Sequence, residues 1–444
     1  AVTGVQTCAL PILPAVFVVP FAAVPVLMAS ENWDDHDRSQ KYAARDFAKN
    51  YLGSVKKNGV LITFGDNDTF PLWYAQEVEG FRTDVRILNY TLSGMYWYVE
   101  QLYNKLYESD ALPFTLSKDF YGLGKDVIYL TGNTTEYMEV SDLLRRMNEK
   151  PTEYVKYDAG SGKSFCTIPT KRFKITLDIP HLVELGVIPA EKAAEVNPEI
   201  RWEISSSVLY RHELMILDIL GTNKFERDIC IMNPTYIKKA FPLVERYSIQ
   251  EGMNYKLIPY FDIVTNEVAH TRSYRRFTPS TFDYFINGYT DAAGQQHPLE
   301  WGNLNSDIYV DPVSFNMGNV QRQTFYLCAE DLIDNYNDTV RARQMVDLAD
   351  KFFPSSNFYN DKYSIYHIVS VARICGHDRA AKLWDSIMEY YEQELTYYSQ
   401  FKGRKTTGVL GQMTEAVMSV RQLASVARDA AFSDNKREQI GRAH

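Results

Sequence analysis

Asn58-Gly59-Val60-Leu61-Ile62-Thr63-Phe64-Gly65-Asp66-Asn67-Asp68-Thr69-Phe70-Pro71-Leu72-Trp73 is the stretch on which the fold class turns. Val60 to Phe64 is a short apolar run with β-branched members between two glycines, the signature of a buried strand. Asp66-Asn67-Asp68 is a turn cluster whose carboxylates suit a helix N-terminus. A helix is predicted over 69–79, with Pro71 tolerated in its first turn and Gly80 as its stop. A second apolar run, 85–90, follows. Strand, helix and strand at this spacing predict a βαβ unit with a parallel pair, whose ligands bind at the carboxyl ends of the strands. Asp66, Asn67 and Asp68 fall at that end and are the first candidate ligand or metal residues.

Outward from this unit, helices are predicted over 42–51, 94–107 and 136–147, and a third strand over 126–130. This block, 30–150, reads as a small α/β layer structure. Ala159-Gly160-Ser161-Gly162-Lys163-Ser164 resembles the end of a phosphate-binding loop. Tyr157 stands where that motif needs its first Gly, and strand signals follow, so a hairpin turn is predicted instead. Residues 151–319 mix strand and helix signals, with 208–220 read as helical and 227–231 as a strand. His181, His212, His270 and His297 are isolated and read as structural or solvated. Beyond residue 320 the pattern is helical. Arg341 to Asp347 aligns with Arg379 to Asp385 at an offset of 38 residues, which predicts helical hairpins of tetratricopeptide type over 320–439.

Upstream, 13–29 is uncharged and apolar with three prolines, and reads as a transmembrane helix, a signal-peptide core being the alternative. The acidic segment behind it, with Asp34, Asp35, His36 and Asp37, could hold a divalent cation through oxygen ligands, or be a solvated membrane-proximal loop. The remainder is then expected on the periplasmic side of an inner membrane. Residues 1–12 and 440–444 read as translated sequencing adapter. The codons of Ile440-Gly441-Arg442-Ala443-His444 reverse-complement to a strand that, shifted by one base, also encodes Cys8-Ala9-Leu10-Pro11.

Composition narrows the function classes. The 444 residues are 45% hydrophobic and 23% charged, with a net charge of −9 and no basic cluster, which argues against nucleic-acid binding. Five cysteines without paired spacing argue against a disulfide framework or a zinc module. The aromatic share is 14%, with 31 tyrosines, which suits tyrosine-rich cores and, secondarily, carbohydrate or partner surfaces.

Several runs then look familiar: 28–39, Gly65 to Tyr74, Arg82-Thr83-Asp84-Val85, and Leu217-Asp218-Ile219-Leu220-Gly221-Thr222-Asn223 through Arg227. Together they resemble the carboxyl-terminal half of a Bacteroidetes membrane family, domain of unknown function 2723, which is similar to the plexin-type protein O-mannosyltransferases. Asp228-Ile229-Cys230 departs from the Pro-Ile-Tyr expected there. The resemblance implies a polytopic glycosyltransferase using a lipid-linked sugar donor, whose catalytic membrane half lies upstream of Leu13. It assigns no catalytic residue to this chain and implies a role in binding an acceptor protein or partner. Two rivals stand beside it: a non-catalytic membrane-anchored scaffold with helical repeats, and a metal-dependent hydrolase using Asp66 and Asp68.

Overall fold

A computed structural model describes residues 12–429 apart from 123, 133, 161, 261–278, 292–293, 307, 355, 359–366, 369–370 and 373. Helix α1 (Ile12–His36) takes in the apolar segment and runs on through most of the acidic one, which is therefore not a loop. Phe21, Val24, Val26, Leu27 and Met28 on it are exposed. Among the described residues no helix is long and apolar enough to cross a membrane. Helix α2 (Ala43–Gly53) follows, with Phe47 and Tyr51 buried one turn apart. Strand β1 (Val60–Thr63), helix α3 (Asp66–Glu77) and strand β2 (Arg86–Asn89) form the βαβ unit, with β1 and β2 parallel. Gly80 closes the turn after α3 in the left-handed region, φ +62°. The helix expected over 94–107 is shorter, α4 (Tyr96–Leu102), because Leu92–Gly94 spends the preceding turn as 3₁₀.

The middle of the chain alternates strands with one long helix. It runs β3 (Val127–Leu130), β4 (Met138–Glu139), α5 (Val140–Glu149), β5 (Val155–Asp158), β6 (Lys163–Ile168), β7 (Arg172–Thr176), β8 (Glu199–Glu203) and β9 (Val208–Tyr210). Helix α6 (Arg211–Asn223) comes next, then β10 (Ile229–Ile231), β11 (Ser248–Glu251) and β12 (Asn254–Leu257). The phosphate-loop look-alike is the turn of the β5–β6 hairpin. The helix expected over 208–220 is corrected at its start: Val208–Tyr210 pairs with β3, and the helix begins at Arg211 once Glu213 can cap it.

The central sheet has the order β11-β12-β10-β1-β2. It therefore joins strands from both sides of the boundary drawn at residue 150. Both β10 and β2 run parallel to β1. Side-chain alternation sends Leu61, Ile87 and Cys230 to one core and Val60, Ile62, Leu88, Ile229 and Ile231 to the other. A strand trio buried on both faces explains the uninterrupted apolar runs. The second core is shared with α6 and the β3 and β7 sheets. The described cysteines Cys166, Cys230, Cys328 and Cys375 are free thiols.

The carboxyl-terminal region is helical, with α7 (Pro312–Tyr336) packed on α8 (Thr339–Phe352), and α9 (His377–Ser399) packed on α10 (Arg404–Asp429). The 38-residue offset places Asp338, the N-cap of α8, on Gly376, the N-cap of α9. Asp311 ties this region to the chain's beginning. It caps α7 through the N–H groups of Val313 (2.9 Å) and Ser314 (3.0 Å) and pairs with Lys41 and Arg38.

Candidate functional site at the carboxyl ends of the parallel strands

Strand β1 sends its chain to β2 on one side, while β10 leads to β12 on the other. The carboxyl ends of β1 and β10 thus form a topological switch point, the position at which open α/β sheets take ligands. Beside it, a buried polar net ties the carboxyl ends of β1 and β2 to the start of α3. Thr63 Oγ1 and Thr69 Oγ1 are 2.8 Å apart, and Thr69 Oγ1 donates to the Gly65 carbonyl at 2.6 Å. Asn89 Nδ2 donates to Thr69 Oγ1 at 2.8 Å, and Asn89 Oδ1 accepts from the Leu92 N–H at 2.8 Å. Thr63, Thr69, Asn89 and Ser93 are all buried, so the net fixes the loops without offering groups to a ligand.

The acidic loop divides its labour. Asp68 is the third helical residue of α3 and turns back on its own loop. Its carboxylate accepts the Phe64 N–H at 2.9 Å and the Gly65 N–H at 2.6 Å, a capping-box contact. Burial raises its pKa, against the lowering effect of those N–H groups. Asp66 and Asn67 are exposed at the rim. Of the three residues singled out here, only Asp66 and Asn67 are left facing outward.

In the acidic segment upstream, the described side chains of His36 and Asp37 bond within the segment itself. Asp34 and Asp35 lie on α1 with side chains outside the described residues. His36 Nδ1 sits 2.9 Å from the Asn32 carbonyl, and Asp37 accepts the Ser39 N–H at 2.8 Å, which lowers the Asp37 pKa. Among the described residues no group of three His, Cys, Asp or Glu side chains is placed to hold a metal ion.

An aromatic strip runs past the carboxyl ends of the parallel strands. Tyr236, Phe64, Tyr90, His212 and Tyr210 form a continuous strip, with successive ring centroids 4.7, 5.6, 4.4 and 5.8 Å apart. Its two ends, Tyr236 and Tyr210, are 65% and 50% exposed, whereas Phe64 at its heart is buried. His212 borders a cleft of about 630 Å³ shared with Met95, Trp97 and Arg211. Burial, helped by the Arg211 charge, pushes the His212 pKa down to about 4, so the imidazole is neutral at physiological pH. Arg211 itself is buried, pairs with Asp126, and donates to the carbonyls of Gly94 and, at 3.0 Å, Gly122. The strip therefore offers ring faces, tyrosine hydroxyls and a neutral imidazole, with no carboxylate pair for acid–base work.

The familiar runs also acquire structural roles. Arg82 grips Asp84 bidentately (2.7 and 2.9 Å) and donates to the carbonyls of Leu52 and Val55, locking α2 to the turn before β2. Asp218 is fully buried and accepts from the N–H groups of Thr115 and Leu116, the Tyr121 hydroxyl and the Thr222 hydroxyl. Burial pushes its pKa up to about 6.

The sequence model of the family described as TMEM260-associated domain 2 matches residues 44–273, just over half of the chain. The chain belongs to this family. The TMEM260-associated domain 2 match covers nearly all of α2, the whole central sheet and α6, and so contains the switch point and the aromatic strip. No curated protein and no solved structure matches the chain.

Neither Tyr236 nor His212 stood out in the sequence. His212 has no ligand-like neighbour along the chain, and the ring strip draws on two stretches, 64–90 and 210–236, more than a hundred residues apart. The one available signal is positional: each strip residue ends a strand or follows a strand end within a few residues.

Proposed function

We propose that this chain serves a glycosyltransferase-related protein of the O-mannosyltransferase type by holding the acceptor, with transfer of the sugar performed outside the residues described. The observation that carries this reading is the aromatic strip at the switch point. Ring faces pack against the C–H faces of a sugar or against peptide side chains while tyrosine hydroxyls remain free to hydrogen-bond. Family membership supports the association with glycosyl transfer. Commitment of Asp68 to its own backbone, and of Asp218 to a buried hub, speaks against either acting on a glycosidic bond.

The same proposal sets α1 against a membrane and the remainder on the periplasmic side, supported by the exposed apolar side chains Phe21, Val24, Leu27 and Met28. The helical region after residue 312 would extend the acceptor surface as stacked hairpins of tetratricopeptide type. The finer likeness, to the Bacteroidetes family named above, belongs to this proposal as well.

The test is reconstitution of the chain in liposomes with polyprenyl-phosphate mannose and a serine- and threonine-rich acceptor peptide. The reading expects peptide binding without turnover. Turnover by the chain alone would move the chemistry into it, and a chain that neither binds nor turns over would favour a plain scaffold.

A further inference from the structure

We propose that the cavity between α3, α4 and the edge strand β2 is a binding site for an organic oxyanion, a phosphate ester or carboxylate, held by Arg86 with its organic body against Trp73. The inference is independent of the acceptor-binding role above. The cavity has a volume of about 540 Å³ and is lined by Trp73, Gln76, Arg86, Trp97, Gln101 and Lys105 among others.

Arg86 is the unusual feature. It opens β2, it is 3% exposed, and its charge has no carboxylate within ion-pairing distance among the described residues. Its Nη2 donates to the carbonyls of Gln101 (2.9 Å) and Asn104 (3.0 Å). Its Nη1 is buried with no hydrogen-bond partner among the described residues. Arg82 and Arg211 have carboxylate partners, Asp84 and Asp126, whereas the partly buried Arg227 donates, like Arg86, to backbone carbonyls. A buried cation without a counter-ion is costly and is retained where something else neutralises it.

Burial depresses the Arg86 pKa, as expected of a cation lacking a counter-charge. Glu77 on the cavity rim is exposed, and its carboxylate takes the Tyr107 hydroxyl at 2.5 Å. Lys105, exposed on the same rim, lies 3.9 Å from the equally exposed Asp110, a loose pair that leaves its ammonium largely in solvent. An oxyanion entering the cavity would accept the free Nη1–H, and a guanidinium donates to such oxygens with the strength of a charge-assisted bond. The indole of Trp73 and the Ile87 and Leu102 side chains supply an apolar wall for whatever carries the anion.

The experiment is a tryptophan-fluorescence titration of the full chain with phenyl phosphate, benzoate, inorganic phosphate and, as neutral control, phenol, at constant ionic strength. At least one of phenyl phosphate and benzoate is expected to bind saturably and tenfold or more tighter than phenol; which does so identifies the head group. Inorganic phosphate is expected to bind more weakly than the organic anion. Arg86→Met is expected to abolish the difference from phenol. Because that variant also frees two carbonyls and could fold poorly, Gln101→Glu is the second arm. It places a carboxylate on the exposed cavity rim and is expected to weaken anion binding tenfold while leaving the circular dichroism spectrum unchanged. Anions binding no better than phenol, or binding unchanged in a folded Gln101→Glu chain, would overturn the proposal.

Discussion

Replacing Asp68 separates capping from metal binding at the loop around which the fold is built. Its carboxylate holds two backbone N–H groups, at 2.9 and 2.6 Å, where the chain leaves β1 and enters α3. Hydrogen bonds to a charged group contribute roughly 1.5–3 kcal/mol each, and the desolvation that raises the Asp68 pKa offsets part of that. Asp68→Ala should therefore cost about 2–3 kcal/mol. Asp68→Asn keeps one carbonyl oxygen for one N–H and turns an amide toward the other, so about 1–2 kcal/mol is expected. Asp66→Ala, at an exposed position, should stay within about 0.5 kcal/mol. Urea unfolding followed by circular dichroism measures all three, and calorimetric titration with calcium, magnesium and manganese runs beside it. An Asp66→Ala cost equal to that of Asp68→Ala, or a metal affinity lost equally in both, would refute this assignment and restore a shared site.

Asp218 should make stability fall as pH rises. With its folded pKa near 6 and an unfolded value near 3.9, the folded state binds the extra proton, so stabilisation is full below about pH 4 and is lost through pH 6. The span is at most roughly 3 kcal/mol, read as the pH dependence of wild type minus Asp218→Asn. His212 should act in the opposite sense: its folded pKa near 4 lies below the unfolded 6.5, so stability present above pH 6.5 is lost as pH falls toward 4. His212→Phe should flatten that arm in the same unfolding titration. Asp311→Ala should cost about 1–2 kcal/mol by uncapping α7 and releasing Lys41, measured as a lowered thermal midpoint with the far-ultraviolet spectrum retained.

The βαβ unit was legible because its signals are local: an apolar run, a capping cluster, a stop glycine and a second run. The hairpin at Gly160 was legible for the same reason, since turn chemistry overrode a phosphate-loop resemblance. The second partner of β1 was not. Ile229–Ile231 lies some 170 residues downstream and matches β1 only in being short and apolar, a property many segments share. The start of α6 was misread because Val208–Tyr210 continues its apolar pattern, and only pairing with β3 makes it a strand. The acidic loop was located correctly, yet its role depends on where the Asp68 side chain points. Spacing cannot tell a carboxylate aimed at a ligand from one aimed at its own backbone. The aromatic strip and the lone Arg86 charge are tertiary properties throughout, arising from rings and carbonyls that meet only after the sheet is assembled.

The most direct test of acceptor binding at the switch point is calorimetric titration of the chain with a serine- and threonine-rich acceptor peptide, unmodified and singly mannosylated, against Tyr236→Ala. Tyr236 is 65% exposed and packs tilted against Phe64 at one exposed end of the strip, so its removal should leave the fold intact. Binding by the wild-type chain with a tenfold or greater loss in Tyr236→Ala is the expected result. Equal affinity in the two proteins, or no binding to either peptide, would contradict it.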